Sequence, residues 1–117
     1  MEITTTHTIS DESIDNLLCG AFEGGSNYWY QINNVVTPYT GYAHEAWRTN
    51  NNGILIEDGE EEAEYEGYLN RESVKRGLEL MNRNYCQHWS DFIIGNDDAE
   101  TSDLFLQLCV FGEVIFG

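Results

Sequence analysis

Apolar side chains recur at helical spacing in two stretches of the chain and fill a third almost completely. Ile14, Leu17, Leu18, Ala21 and Phe22 follow Ser10-Asp11-Glu12. The serine can cap the first amides, and the two acids suit the positive end of the helix dipole. This predicts a helix over about residues 11–23, stopped at Gly24-Gly25 by a left-handed glycine cap. Val74, Leu78, Met81 and Tyr85 form the second stripe, with Asn70 as cap and Lys75 and Arg76 outside it. Leu104–Phe111 is apolar apart from Gln107, which predicts a core helix opened by Asn96-Asp97-Asp98 and closed by Gly112. Tyr42–Arg48 and Cys86–Gly95 predict two shorter helices.

The remaining apolar runs are too short or too β-branched for helices. Ser26–Val36 carries Tyr28, Trp29, Tyr30, Ile32, Val35 and Val36, and Pro38 ends it. Gly53–Asp58 predicts a strand after the Asn50–Gly53 turn, and Ala63–Leu69 its antiparallel partner. Val114-Ile115-Phe116 predicts a terminal strand or extended run. No repeat or linker divides the chain. The expectation is one small α+β domain over residues 1–117, an antiparallel sheet packed by two to three helices.

Charge changes this picture more than composition does. The formal net charge is −16, from 21 acidic and 5 basic residues, well beyond the roughly 2–8 advised for a small designed domain. Such a field repels nucleic acid and anionic membranes and attracts basic surfaces. The acids concentrate in Glu57–Glu66 (EDGEEEAEYE), where no lysine or arginine interrupts them. Three cysteines, Cys19, Cys86 and Cys109, do not suggest a disulfide framework and point to a reducing compartment. The N-terminus, MEITTTHTISDES, lacks the bases and apolar run of a signal peptide, and no apolar segment approaches the ~18 residues of a membrane span. A soluble cytoplasmic protein is expected.

Two segments, Glu23-Gly24-Gly25-Ser26-Asn27-Tyr28-Trp29 and Phe111-Gly112-Glu113-Val114-Ile115-Phe116-Gly117, resemble a family of small, uncharacterised proteins encoded by tailed phages and prophages. The second is reached through Asp103 and an apolar helix. The spacing between the segments also fits, so the likeness spans most of the chain. That family has no assigned reaction, and no catalytic residue carries over. The resemblance implies a phage origin, and with it an inhibitor of host defence, such as an anti-CRISPR protein, acting in the host cytoplasm.

The acid run has two readings. Charge runs are usually solvated, solubilising loops. The sharper reading is a nucleic-acid mimic. Duplex DNA carries one charge per ~1.7 Å of axis, and carboxylates on alternate strand positions lie ~6.6 Å apart, near the phosphate spacing along one nucleic-acid strand. A hairpin bearing Glu57, Asp58, Glu60, Glu61, Glu62, Glu64 and Glu66 would then fill the basic groove of a host defence protein such as an RNA-guided nuclease. The chain itself would bind neither nucleic acid nor membrane.

Other constellations are weaker. Glu23, Asn27, Tyr28 and Trp29, beside two glycines, could form a pocket for a small molecule or nucleotide signal, with an aromatic face to stack a base. The bland alternative is a helix end followed by core aromatics, and only Arg48, Arg71, Lys75, Arg76 and Arg83 offset the acids against a phosphate. Cys86 and His88 could share a zinc ion only if Cys19, His44 or an acid such as Asp91 completed the site. Asp97, Asp98 and Glu100 suit a helix start, and the pattern of a calcium loop is missing around Asp103. There is no P-loop, HExxH or G-x-S-x-G, so a binding protein is expected and no cofactor.

Overall fold

The computed structural model describes residues 1–3 and 6–117. The chain is a single α+β unit. Helix α1 (Asp11–Gly20) starts where Ser10 Oγ accepts the Ser13 N–H at 3.1 Å. It does not end on a left-handed glycine. Neither Gly24 nor Gly25 has a positive φ. The last turn widens instead, over Ala21–Gly25, with the Ser26 N–H returning to the Ala21 carbonyl at 2.9 Å. Glycine is needed at position 25 for closeness, because a Cβ there would lie 2.4 Å from the Ala99 carbonyl oxygen.

Strand β1 is only Tyr30–Ile32, much shorter than the aromatic run predicts. Ser26 begins a turn that takes the Trp29 N–H at 3.0 Å. At the other end the Asn33 side chain accepts the Val35 and Val36 amides at 3.0 Å each and bends the chain off the sheet. A 3-10 turn (Ala43–Glu45) runs into the one-turn helix α2 (Ala46–Thr49). Strands β2 (Ile54–Asp58) and β3 (Glu66–Leu69) then pair antiparallel, and the sheet order is β1-β2-β3. Helix α3 (Arg71–Asn84) opens with a reciprocal Asn70–Ser73 cap. Helices α4 (Cys86–Ile93) and α5 (Ala99–Phe111) follow, α5 capped by Asp98 and closed by Gly112 at φ +75°.

Helix α5 is the centre of the core. Phe105, Leu106, Leu108 and Cys109 are buried on it, with Ile14, Leu17 and Leu18 of α1, Val74 and Met81 of α3, and Ile54, Ile56 and Leu69 of the sheet. Leu104 and Phe111, which the apolar run also places in the core, lie half-buried at its margin. The C-terminal Val114–Phe116 forms no strand. Its backbone is held by one side chain: Gln107 accepts the Ile115 and Phe116 amides at 2.8 Å each and donates to the Phe116 carbonyl at 3.1 Å. The single polar residue of the apolar run thus does what a strand partner would do. Among the described residues no helix is long and apolar enough to cross a membrane.

Candidate functional site

The phase of the sheet decides which acids point outward. Asp58 donates its N–H to the Tyr65 carbonyl at 3.0 Å, and Asn33 donates to the Leu55 carbonyl at 3.0 Å. Ile54, Ile56 and Asp58 therefore turn their backbone groups toward β3, while Leu55 and Glu57 turn theirs toward β1. Side chains alternate with the same period. Ile54, Ile56 and Asp58 face the helices, and Glu57, Glu66 and Tyr68 face outward.

Asp58 is consequently not a surface charge. It is 3% exposed and organises the loop that follows. One carboxylate oxygen accepts the Glu60 N–H at 3.1 Å, and the other accepts the Glu64 and Tyr65 amides at 3.0 Å each. Burial alone would raise the Asp58 pKa. The amide donors of Tyr65, Glu60 and Glu64 outweigh it and hold the carboxyl below the usual aspartate value. Asp58 therefore leaves the predicted contact set and becomes its support.

The regular carboxylate ladder is also corrected. Of the outward-facing carboxylates only Glu57 and Glu66 lie on strands. Glu60, Glu61, Glu62 and Glu64 project from the loop of residues 59–65, and all four are exposed. Their spacing is set by a stapled loop and does not repeat. Glu57 and Glu66 stand directly opposite each other in the closer, non-hydrogen-bonded kind of pair, where like charges cost stability. Tyr65 anchors the loop below, its ring 6.0 Å from Phe111 and 5.8 Å from Phe116. Between the loop and Phe116 lies an open depression of about 620 Å³.

That anchor leads to the Glu23–Trp29 and Phe111–Gly117 segments. Phe116 stacks on Trp29 at 5.2 Å with planes 14° apart. The Trp29 indole N–H donates to Asp103 at 2.7 Å, joined on that carboxylate by Ser26 Oγ at 2.8 Å, Tyr28 Oη at 2.6 Å and Gln107 Nε2 at 3.1 Å. Partial burial of its hydroxyl and then the Asp103 carboxylate push the Tyr28 pKa up to about 12. The two segments therefore meet on one polar pair of α5, Asp103 and Gln107, and form a platform under the acid loop. Sequence reasoning missed this hub. The available signal was Gln107, a lone amide in an otherwise apolar helix.

The platform divides the predicted pocket residues: an open depression of about 610 Å³ is lined by Gly24, Gly25 and Tyr28 with Asp103, Gln107 and Phe116, but not by Glu23, Asn27 or Trp29. Trp29 is 5% exposed, with its face on Phe116 and its N–H on Asp103, so it offers no free surface to a base. Tyr28 is exposed but its hydroxyl is committed, and Glu23 and Asn27 are exposed without converging on it in any hydrogen bond among the described residues. Cys86 and His88 do not converge either. Both lie on α4, where positions two apart point to different sides. Cys86 is exposed, and His88 Nδ1 is 2.8 Å from the Thr101 hydroxyl. Among the described residues no group of three or more His, Cys, Asp or Glu is placed to hold a metal ion.

Asp98 and Asp15 have structural partners. Asp98 accepts the Thr101 amide and hydroxyl, and the amide bond foremost keeps its pKa low. Asp15 is tied to Arg48 and to the Trp47 indole, which outweigh its burial and lower its pKa. A wide cleft of about 690 Å³, also missed from sequence, includes Trp47, Arg48 and Arg71 in its wall. Its cations have local partners, since Arg48 pairs with Asp15 and Arg71 lies over the Trp47 ring at 5.2 Å.

Fold and surface together define a small α+β domain that presents a stapled, acid-rich loop beside an acidic sheet face. No protein-family model, curated protein or solved structure matches this chain.

Proposed function

We propose that the chain is a phage-derived inhibitor of a host defence machine that acts on nucleic acid. The target class is an RNA-guided nuclease, met in the host cytoplasm. The acid face docks into the groove where the machine holds nucleic acid, and blocks DNA engagement. The observation that supports this reading is the Asp58 staple. A solubilising loop has no need of a fixed shape, yet a buried carboxylate with three amide donors holds Glu60–Glu64 in one arrangement. Preorganised charge loses less entropy on docking, and a field of one sign steers a basic partner. With no regular ladder, the mimicry is of charge density and sign, not of phosphate spacing.

The test is a plasmid-interference assay in cells carrying an RNA-guided nuclease, followed by DNA-binding competition with the purified nuclease. The parent chain should restore plasmid survival and displace target DNA, with an effect that weakens as salt rises. Replacing Glu60, Glu61, Glu62 and Glu64 by Gln should preserve the fold and slow association. Alone, the chain should shift neither DNA nor RNA in a gel at physiological salt. Equal inhibition by the glutamine variant at both low and high salt would remove the acid loop from the interface.

A further inference from the structure

Strand β3 is a sheet edge that nothing among the described residues pairs on its outer side. Its phase follows from the ladder. Gly67 and Leu69 exchange backbone bonds with Ile56 and Ile54, so the N–H and C=O of Glu66 and Tyr68 point away from β2. No backbone or side-chain group among the described residues hydrogen-bonds to them. The edge is also open in space. Two shallow grooves flank it on either side of Val110, of about 350 and 440 Å³. The first runs between Glu64–Glu66 and Phe111, Glu113 and Ile115; the second lies beside Gly67, Tyr68 and Arg76. Gly67 brings α5 close beneath this edge, because any Cβ there would collide with the Val110 carbonyl.

We propose that β3 takes an extended segment of a partner protein as a fourth strand, and that the segment alternates basic and apolar residues. The alternation follows from the two sides of the edge. An added strand would turn one set of side chains to the outer face, beside Glu66 and Glu57. The other set would turn to the inner side, toward Val110, Phe111 and Ile115. A second copy of this chain is the wrong occupant, because it brings the same acid run and a formal net charge of −16 to the edge, where like charges repel. The same carboxylates that deter self-pairing favour a basic strand. The inference rests on the acid-face reading for the nature of the partner, while its contacts are backbone amides that the reading does not use.

The probe is a short synthetic peptide of alternating lysine and valine, titrated into the full chain and followed by amide NMR. Expected are the largest shifts at the Glu66 and Tyr68 amides and slowed hydrogen exchange there. The same peptide N-methylated at its pairing amides should bind about tenfold more weakly, since it loses its hydrogen bonds to the edge. Tyr68→Pro removes an outward N–H without breaking the ladder to β2, and should weaken binding where Tyr68→Ala does not. Should Tyr68→Pro not fold, the N-methylated peptide decides the question on the unaltered chain. Equal binding of the two peptides, shifts confined to Glu60–Glu62, no binding, or self-association through β3 would each overturn the proposal. The loop glutamine variant separates the two ideas. Peptide addition at β3 without any inhibition of the nuclease keeps the strand site and removes the acid-face function.

Discussion

Asp103 should be the most expensive polar residue in the chain to remove. Its carboxylate takes four donors, from Ser26, Tyr28, Trp29 and Gln107. Asp103→Ala leaves the buried Ser26 hydroxyl and the buried Trp29 indole N–H without an acceptor. Each stranded donor costs about 1–3 kcal/mol. Tyr28 is 59% exposed, so its hydroxyl turns to water at small cost. The expected loss is therefore about 2–6 kcal/mol, set against a total of roughly 6–18 kcal/mol for a chain of this length. Asp103→Asn keeps one acceptor oxygen for Ser26 and Trp29 and forfeits the Tyr28 bond, so it should cost about 1–2 kcal/mol. The assay is urea denaturation followed by tryptophan fluorescence, since Trp29 itself sits on the hub. The Tyr28 phenol should also titrate below its parent value of about 12 in Asp103→Asn, read by ultraviolet absorbance, because a repelling carboxylate has gone. An Asp103→Ala variant within about 1 kcal/mol of the parent, or an Asn variant as damaged as Ala, would refute the account of α5 as the fold's polar anchor.

Three further outcomes follow from the same geometry. Asp58→Asn puts an amide donor among three backbone N–H groups, so loop 59–65 should open and be cut by a glutamate-specific protease faster than in the parent, while the helices stay folded by circular dichroism. Leu108, at 2% exposure on α5, should cost about 2–5 kcal/mol as Leu108→Ala, and a melt that matches the parent would place that face outside the core. Asp15, Asp58 and Asp98 all have folded pKa values below the ordinary aspartate value. Their contribution to stability is full above the unfolded value of about 3.9 and lost as pH falls through the folded values. Melting temperature should therefore hold or rise from pH 7 toward about 5, as self-repulsion is relieved, and drop below about 4; a steady rise to pH 2 would show that these three carboxylates stabilise nothing.

What could be read from the sequence was what local chemistry decides. Caps at Ser10, Asn70 and Asp98, the stripes of α1 and α3, and the β2–β3 pairing all follow from rules that reach a few residues along the chain. The errors share one cause. An acid inside an acid run looks like a contact residue, as at Asp58, and an aromatic beside two glycines, as at Trp29, reads equally as a ligand face or as core. Their fates depend on partners far away in the chain or on the phase of a ladder. Trp29 is claimed by Asp103 and Phe116, and Asp58 by the inward phase of β2.

The same long-range contacts give the two motif segments a physical role. The EGG-S-NYW and FGEVIFG segments clamp onto Asp103 and Gln107 from opposite ends of the chain. Residues held this way are constrained by the fold. The acid loop rests on that scaffold through Tyr65 but contributes nothing to the clamp. Its carboxylates face solvent, Glu57 and Glu66 oppose each other at a cost, and Asp58 is spent on holding the loop in shape. Such strain on one face, with the shape of that face fixed from within, is what the proposed basic partner would neutralise. For this reason the loop and the neighbouring β3 edge, not the clamped segments, are where specificity should be sought.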